Sequence, residues 1–494
     1  MNKLYYGDNL DVLRKYIKDE SVDLCYIDPP FNSKRNYNQI YNNIGAEDTA
    51  QAQVFLDTWT WDEAAEHGFE EIISNYGGVF TAQSIELILG FEKVLGKGSL
   101  LSYLISMTLR IAEIYRVLKL TGCFYLHCDP TASHYLKLLI DAVFCAGRKG
   151  QFITEIIWTY SWGVRTDKRW NKKHDVIFCY AKTNEYVFNA YEVLEPRTLG
   201  ESSRNRLQYA GALIESKNKT GSKEFALPSD VWYIPTINGM AKERLGYPTQ
   251  KPEELLEKII KASSNPGDTV LDAYCGCGTT VAVAERLHRN WIGIDITYQS
   301  ISLILKRLED TFGNKVLENI ELNGVPKDFN SAIALAEKKE DKTRKEFEKW
   351  FVLTYTNNRA VINEKKGGDE GIDGIAFVMD MVKGKQEYPK VLFSVKSNRT
   401  LSPTVIRDLN GTMERDGAVA GYLLTLYPME NMVKESKKYG TYKNSLYAGD
   451  FPKIQVISVQ EMLDGIRFDL PSVIPGVVKS AEKKGKGGKQ DTLL

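Results

Sequence analysis

Residues 268–287, DTVLDAYCGCGTTVAVAERL, combine the patterns of a strand, a glycine loop and a helix. The apolar run TVLD is typical of a buried strand, and VAVAERL is typical of a helix. Between them, Gly276 and Gly278 allow the backbone to approach a bound cofactor closely. This order predicts a cofactor-binding unit of an α/β sheet. A nicotinamide enzyme would fit too, although the loop has only two of the three glycines of the dinucleotide fingerprint.

Strand and helix patterns alternate through about residue 310. We expect strands at 22–28, 123–129, 268–275 and 290–296, with helices at 100–119 and 135–144. This alternation favours an α/β, Rossmann-like domain with a mostly parallel sheet. Asp295 ends the strand after the glycine loop, at a spacing that suits an acid binding a ribose hydroxyl.

The sequence Asp28-Pro29-Pro30-Phe31 follows the apolar segment VDLCYI, at the carboxyl end of a predicted strand. This combination of an acid, two prolines and an aromatic residue suits chemistry on the exocyclic amino group of a nucleic-acid base. That amino group is a poor nucleophile, because its lone pair is delocalised into the ring. The Asp28 carboxylate and the Pro29 carbonyl would accept its two hydrogens, and Phe31 would stack on an extruded base. A plain strand-ending turn is the alternative interpretation.

The chain resembles the beta class of DNA amino-methyltransferases over most of its first 300 residues, on several motifs in the order typical of that class. They are Tyr6-Gly7-Asp8-Asn9, then DPPF, then LHCDPTASHYLKLLID at 126–141, then Gly246-Tyr247-Pro248-Thr249-Gln250-Lys251-Pro252, and then the glycine loop. The resemblance implies S-adenosylmethionine as the cofactor. It implies Asp28, Pro29, Pro30 and Phe31 as the catalytic element.

The resemblance also implies which residues contact the cofactor. Asp8 would contact the adenosine, and Lys251 would pair with the carboxylate at the methionine end. Tyr274 and Cys277 depart from the family, which often has phenylalanine and serine there. The implied cofactor-binding residues are Asp8, Thr249, Gln250, Lys251, Asp272, Tyr274, Cys275, Gly276, Gly278, Thr279 and Asp295.

The aspartate of DPPF favours adenine N6 as the target, since related cytosine-N4 enzymes more often carry serine there. A target-recognition insert is expected at about residues 155–240, where cations alternate with aromatic residues. Such a surface binds phosphates and stacks on bases, so double-stranded DNA is the expected partner, with a solvated loop as the alternative. The predicted DNA-binding residues are Arg165, Lys168, Arg169, Lys172 and Lys173.

A second motif set, GGDEGIDG at 367–374 followed by FSVK at 393–396, resembles the PD-(D/E)xK core of Mrr-like restriction nucleases. In that core, two acids hold Mg²⁺ and a lysine positions or activates water. Asp373 would be a metal ligand, and Lys396 would be the lysine. Ser394 stands where the second acid belongs, and serine is a poor Mg²⁺ ligand.

Glu364, Asp369 or Glu370 would have to replace that acid in an active nuclease. Otherwise the fold has been retained for DNA contact or partner docking. An ordinary hairpin is the remaining interpretation.

The length of 494 residues, with 43% hydrophobic and 26% charged residues, is typical of two or three folded domains. We expect a methyltransferase domain at 1–320 and a helical or loose linker at 321–343. A smaller α/β, restriction-endonuclease-like domain is expected at 344–475, and a disordered basic tail at 476–494.

Charge and apolar runs limit the partners and the location. Lys+Arg and Asp+Glu both total 64, so DNA binding requires a local basic face. The sequence has no apolar run long enough for a membrane span and no signal pattern, which favours a cytoplasmic protein without membrane contact.

Together these patterns predict a site-specific adenine-N6 DNA methyltransferase of a restriction-modification or phage-defence system. One alternative is a bifunctional enzyme whose C-terminal endonuclease requires Mg²⁺. Another is a non-cleaving DNA-binding modification subunit, similar to those of type III restriction systems, with a restriction subunit or a second copy as its partner. Cytosine N4 is the alternative target.

Overall fold

The structure is a computed structural model, and it forms two α/β units, each built around its own sheet. It describes residues 2–30, 36–40, 51–56, 59–160, 167–168, 170–196, 225–238, 241, 243–245, 247, 249–337, 341–356, 360–362, 371–378, 380–382, 385–446 and 450–467.

The secondary structure begins with the first residues of the chain and continues to Leu463. The strands are β1 (Asn2–Tyr6), β2 (Val22–Ile27), β3 (Asn36–Ile40), β4 (Gln51–Leu56), β5 (Leu118–Cys128), β6 (Gln151–Thr159), β7 (His174–Ala181), β8 (Glu195–Pro196), β9 (Phe225–Ala226), β10 (Val231–Tyr233), β11 (Thr269–Asp272), β12 (Asn290–Asp295), β13 (Ile320–Asn323), β14 (Val361–Ile362), β15 (Gly374–Phe377), β16 (Asp380–Val382), β17 (Lys385–Glu387), β18 (Lys390–Lys396), β19 (Ala418–Thr425), β20 (Thr441–Lys443), β21 (Asp450–Pro452) and β22 (Ile454–Ser458). The helices are α1 (Asn9–Tyr16), α2 (Glu63–Ser74), α3 (Ala82–Leu95), α4 (Ser99–Val117), α5 (Ser133–Ile140), α6 (Glu253–Ser263), α7 (Thr279–Arg286), α8 (Tyr298–Phe312), α9 (Lys315–Glu318), α10 (Phe329–Ala336), α11 (Asp341–Tyr355), α12 (Thr404–Asp416), α13 (Glu430–Ser436) and α14 (Val459–Leu463).

The larger sheet has nine strands in the order β10-β6-β7-β5-β2-β11-β12-β1-β13. β7 is antiparallel to both of its neighbours, and the other neighbouring pairs are parallel. The chain leaves β2 towards β5 on one side and leaves β11 towards β12 on the other. β2 and β11 therefore flank the switch point of the sheet, where α/β proteins bind their ligands.

Both faces of this sheet are covered. On β2, Leu24 and Tyr26 belong to one core cluster, and Cys25 and Ile27 belong to the other. Because side chains alternate between the faces of a strand, a strand buried on both faces is apolar throughout. This explains the apolar run LCYI at residues 24–27, directly before Asp28.

The predicted fold class of this unit is confirmed. The four predicted strands correspond to β2, β5, β11 and β12, and the two predicted helices correspond to α4 and α5, with shifts of a few residues at their ends. Residues 155–240 were expected to be a target-recognition insert, but part of this region belongs to the larger sheet. It contains the end of β6, all of β7 and β10, and these three strands belong to the larger sheet.

The second unit has a five-stranded sheet in the order β14-β15-β18-β19-β22. α11 covers one face, where Trp350 and Phe351 share a cluster with Phe393. α12 covers the other face, where Leu409 shares a cluster with Leu392. A smaller α/β domain was expected at 344–475, and this sheet with α11 and α12 confirms the α/β class of the second unit.

Residues 321–343, expected to be a helical or loose linker, hold the end of β13 and all of α10. β13 pairs with β1 in the larger sheet. Ala332 and Leu335 of α10 are buried in a cluster that contains residues of both units. The described part of this segment is therefore packed structure between the two units.

Several expectations concern residues outside the described ranges: Phe31, Arg165, Arg169, Glu364, Asp369, Glu370 and the tail at 476–494. Within those ranges, every helix is too short or too polar to cross a membrane.

Candidate functional site

A cavity of about 140 Å³ opens at the carboxyl ends of β2, β11 and β12. These strands are parallel neighbours, so their ends meet at one edge of the sheet beside the switch point. The predicted site residues that line the cavity are Asp28, Pro29, Pro30, Thr249, Gln250, Lys251, Asp272, Tyr274, Cys275, Gly276, Thr279 and Asp295.

The two carboxylate oxygens of Asp28 differ in their contacts. Oδ2 accepts a hydrogen bond from Lys251 Nζ in an ion pair that is largely shielded from solvent. Oδ1 is buried and has no hydrogen-bond partner among the described residues. A buried acceptor without a donor costs about 1–3 kcal/mol, so a ligand that brought an N–H group to Oδ1 would be bound favourably.

Lys251 was expected to pair with the carboxylate of the cofactor; within the protein its Nζ forms an ion pair with Asp28. Lys251 directly precedes Pro252, the N-cap of α6. Proline at a helix start fixes the backbone there, so the entry of α6 sets where the Lys251 side chain begins.

The glycine loop holds the carboxylate of Asp272. Asp272 Oδ1 accepts from the Tyr274 amide at 3.0 Å, and Oδ2 accepts from Thr280 Oγ1 at 2.6 Å. Burial raises the pKa of Asp272 to about 7, although both donors act in the opposite direction. Asp272 therefore holds the glycine loop through these two hydrogen bonds. Its side chain lines the cavity, and its raised pKa lies near neutral pH.

Both predicted glycines have positive φ, which favours glycine over other residues. Gly276, at φ +49°, donates its amide to Asp295 Oδ2 at 2.9 Å. Gly278 has φ +73°, and a Cβ there would lie 2.6 Å from Ile304 Cγ1 in α8. Gly278 does not line the cavity; it permits the close approach of the loop to α8.

Asp295 is held on both oxygens. Its Oδ1 accepts from the Thr297 amide at 2.9 Å and from Thr297 Oγ1 at 3.1 Å, opposite the Gly276 contact. Burial raises the pKa of Asp295 to about 6. The carboxylate thus faces the cavity from a fixed position between two backbone turns.

Asp8 and Gln250 have contacts within the protein. Asp8 caps α1 through the Leu10 amide and forms an ion pair with Arg110 at 3.0 Å, outside the lining of the cavity. Gln250 lines the cavity and also binds the Glu243 carbonyl and the Leu245 amide, at 2.5 and 2.8 Å. Gln250 therefore shapes the segment before α6.

Sequence reasoning missed a buried network behind Asp28. Tyr26 lines the cavity, and its hydroxyl lies 2.9 Å from His127 Nδ1. His127 Nε2 lies 3.4 Å from Asp175 Oδ2, and Asp175 Oδ1 accepts from the Tyr160 hydroxyl at 3.2 Å. Burial raises the pKa of Asp175, but His127 and the charge of Lys251 outweigh it and lower the pKa.

The only signal for this network in the sequence is the position of His127 near the end of a strand. Six other residues that were not predicted also line the cavity: Tyr247, Leu256, Cys277, Thr280, Ile296 and Thr297. Three of them, Tyr247, Cys277 and Thr280, lie inside the quoted motifs, and the conformation of each loop decides which motif side chains face the cavity.

The predicted DNA-binding cations lie in the connection between β6 and β7. Lys168 and Lys172 are exposed, and Lys173 is half-buried. This connection lies at the same edge of the sheet as the cavity, because β5 runs parallel to β2 and β7 runs antiparallel to both β5 and β6. Two aromatic side chains of this region, Trp170 and Tyr233, are 97% and 82% exposed.

In the second unit, Asp373 and Lys396 lie on neighbouring strand segments. The Asp373 amide binds the Phe393 carbonyl at 2.8 Å, and its Oδ2 accepts from the Val395 amide at 2.6 Å. Ser394 is buried between them. The described residues contain no group of three or more acids, histidines or cysteines that could hold a metal ion, and Glu364, Asp369 and Glu370 lie outside them.

Comparisons with known proteins agree with this geometry. Residues 22–306 match the model of the N6/N4 DNA methylase family, and residues 341–450 match a restriction endonuclease model of the Mrr catalytic type. The DNA adenine methyltransferase YhdJ of Escherichia coli K12 is 29% identical over 308 residues, which cover 62% of this chain and 82% of that protein. The type II methyltransferase M.HpaI of Haemophilus parainfluenzae is 28% identical over 263 residues, covering 52% and 74% of the two chains.

The solved structure of an M1.HpyAVI–SAM complex is 16% identical, covers 62% of this chain and 99% of its own, and has a TM-score of 0.36. The family model spans more than half of the sequence, including DPPF, the glycine loop and both halves of the cavity. The chain belongs to the N6/N4 DNA methylase family and carries a C-terminal segment of the Mrr restriction endonuclease type.

Proposed function

We propose that this chain transfers a methyl group from S-adenosylmethionine to N6 of adenine in double-stranded DNA, within a restriction-modification or phage-defence system. The observation that carries the proposal is the buried Oδ1 of Asp28, an acceptor at the edge of the cavity that has no donor among the described residues. An extruded adenine would supply that donor through its amino group.

Asp28 Oδ1 and the Pro29 carbonyl would each accept one amino hydrogen. These contacts favour a pyramidal nitrogen whose lone pair points away from the ring, towards the cofactor. Lys251 holds the other oxygen of Asp28, so the carboxylate keeps one orientation during the reaction. When bound, S-adenosylmethionine would supply an electrophilic methyl group and would leave as the thioether with the C–S electrons. The methylated nitrogen would release one proton to Asp28 Oδ1, its hydrogen-bond acceptor.

The residues present fit such a cofactor. Asp295 offers a fixed carboxylate for ribose hydroxyls, and the Gly276 backbone leaves room for close approach. Thr249 and the half-buried Tyr247 also line the cavity, and the Tyr247 ring lies beside Gly276. Fixed acceptors and a pre-shaped wall orient the two substrates, and orientation lowers the barrier to a direct transfer.

Adenine is favoured over cytosine N4 by the aspartate at position 28 and by the similarity to a DNA adenine methyltransferase. The exposed lysines and Trp170 between β6 and β7, together with Tyr233 of β10, would contact the DNA beside the extruded base. The second unit would then act as a non-cleaving DNA-contacting part, with a separate restriction subunit as its partner.

Asp28 provides the decisive test. The full-length chain is incubated with plasmid DNA and S-adenosylmethionine radiolabelled on its methyl group, and methylated sites are mapped by sequencing. Wild type should produce N6-methyladenine at one recurring sequence. Asp28→Ala should lose transfer while it retains cofactor binding in calorimetry, because the carboxylate contacts the base.

Asp28→Asn is the matched control, since it keeps the shape but donates where the amine requires an acceptor; it should also be inactive. Methyl transfer by Asp28→Ala at the wild-type rate would contradict the assigned role. Methyl groups found only on cytosine would contradict the assigned target.

A further inference from the structure

We propose that Glu346, in the first helix of the second unit, is a positioning residue for the cofactor subsite of the first unit. The inference rests on the proposed function. The contact joins the two units at the start of α8.

Glu346 accepts three hydrogen bonds. Its Oε2 accepts from the Tyr298 amide and from the Tyr6 hydroxyl, both at 3.1 Å, and its Oε1 accepts from Lys349 Nζ at 2.9 Å. The Glu346 side chain is 17% exposed. Tyr298 is the first residue of α8, and Tyr6 ends β1, so one carboxylate of the second unit binds two elements of the first.

The Tyr298 amide is one of the first amides of α8 and has no acceptor within its own helix. A carboxylate at this end also interacts favourably with the partial positive charge of the helix. Tyr298 itself is buried, so water does not readily replace the carboxylate. Glu346 therefore fixes the first turn of α8.

That turn also holds Asp295. Thr297 caps α8 through the Ser300 amide, and both its amide and its hydroxyl bind Asp295 Oδ1. A displaced Tyr298 would move Thr297 with it, because the two residues are adjacent in the chain. A change at Glu346 would therefore shift Tyr298 and Thr297, and through Thr297 it would shift the Asp295 carboxylate, which we propose binds the ribose.

A second contact links α11 to Tyr298. The Tyr298 hydroxyl lies 2.9 Å from Thr354 Oγ1, two helical turns after Glu346 in α11. Tyr298 also packs edge-on against Tyr6, with ring centroids 5.9 Å apart. α11 therefore holds both the backbone and the side chain of Tyr298.

By thermodynamic linkage, the coupling between the α11 contact and cofactor binding acts in both directions. If the contact through Glu346 favours cofactor binding by some factor, the bound cofactor must strengthen the docking of α11 by the same factor. The second unit would be part of the structure of the methyltransferase site and would respond to whether the cofactor is bound.

The experiment uses the full chain and the variants Glu346→Ala, Glu346→Gln and Thr354→Val. The dissociation constant for S-adenosylmethionine is measured by calorimetry. We expect a rise of roughly ten-fold for Glu346→Ala, since Tyr298 and Tyr6 each lose a buried acceptor. Glu346→Gln should show a smaller rise because its amide oxygen still accepts from Tyr298, and kcat at saturating cofactor should stay within about two-fold of wild type.

Hydrogen exchange gives a readout that a general loss of stability would not imitate. S-adenosylhomocysteine should slow exchange in residues 341–356 of wild type, and this protection should be lost in Glu346→Ala. Glu414→Ala, an exposed glutamate on α12, is the matched control and should behave as wild type in both measurements. If Glu346→Ala fails to fold, the other two variants decide.

An unchanged dissociation constant in all three variants would overturn this inference and leave the proposed function standing. A folded wild type that binds no S-adenosylmethionine would overturn both.

Discussion

Lys251 would face two acidic groups in a methyl-transfer site, Asp28 and the carboxylate of the cofactor. The structure pairs it with Asp28, and the family motif assigns it to the cofactor. The kinetic consequences of the two roles differ. A lysine that orients Asp28 contributes to kcat, whereas a lysine that binds the cofactor contributes to its affinity.

We expect Lys251→Met to lower kcat by roughly ten- to hundred-fold, since a hydrogen bond to a charged group contributes about 1.5–3 kcal/mol. The dissociation constant of the cofactor should change by less than about three-fold. Single-turnover methylation and calorimetry measure the two quantities. Lys251→Arg, which keeps the charge, should retain more activity, and a large loss of cofactor affinity with unchanged kcat would assign Lys251 to the cofactor.

The raised pKa values of Asp295 and Asp272, about 6 and about 7, predict a pH dependence. Unfolded aspartates titrate near a pKa of about 4, so these two side chains stabilise the cofactor-free fold fully below about pH 4. That stabilisation is lost as the pH rises through about 6 to 7. A ribose hydroxyl that donates to Asp295 favours the ionised carboxylate, so cofactor affinity should increase over the same pH range.

Calorimetry between about pH 5.5 and 8 checks this expectation, because one pKa unit corresponds to about 1.4 kcal/mol. Asp295→Asn should bind weakly with a much flatter pH profile. A wild-type affinity that is constant over this range would show that Asp295 does not ionise on binding.

At the scale of the elements, Gly278 joins the glycine loop to α8. Gly278→Ala should destabilise the protein by about 1–3 kcal/mol, because alanine tolerates the positive φ poorly and its Cβ would collide with Ile304. Gly90→Ala is the matched control, since Gly90 lies within α3 and a Cβ there meets open space. This control should stabilise the protein by about 0.5–1 kcal/mol.

Urea unfolding of the two glycine variants gives both free energies. A Gly278→Ala protein as stable as wild type would mean that α8 can move away from the loop without cost.

The strands that carry the motifs could be predicted because local signals define them. The apolar run before Asp28 and the run TVLD before the glycine loop both reflect burial on two faces of one sheet. β7 is equally apolar, but it lies within the region expected to be an insert, and sequence alone does not show that it returns to the sheet.

The contacts of the site were harder to predict because they join distant parts of the chain. Asp8 meets Arg110 across 102 positions, and Lys251 meets Asp28 across 223. Periodicity describes which face of an element is buried, and it does not describe which element lies opposite. The Tyr26–His127–Asp175 network was missed for the same reason.

For the whole molecule, the main question is whether the second unit cuts DNA. We expect the full chain with Mg²⁺ to leave supercoiled plasmid intact while methyl transfer proceeds, because Ser394 replaces an acid and Asp373 already binds the Val395 amide. Gel electrophoresis and a methyl radiolabel on the same sample give both results. Lys396→Ala is the control for any cutting.

Cutting that is lost in Lys396→Ala would contradict this expectation. It would mean that acids in residues 363–370, outside the described ranges, complete a metal site with Asp373.

The pairing of β2 with β11 has a consequence for how the protein is made. Asp23 and Thr269, which bond across these strands at 2.9 Å, are 246 residues apart. Closing so long a loop is entropically costly and slow, so the two strands meet only late in folding. On the ribosome, the base-binding half must wait for the cofactor-binding half to emerge. Under the proposed function, a nascent chain that ends before the glycine loop would carry the lysines between β6 and β7 without the cofactor-binding half, and it would not methylate DNA.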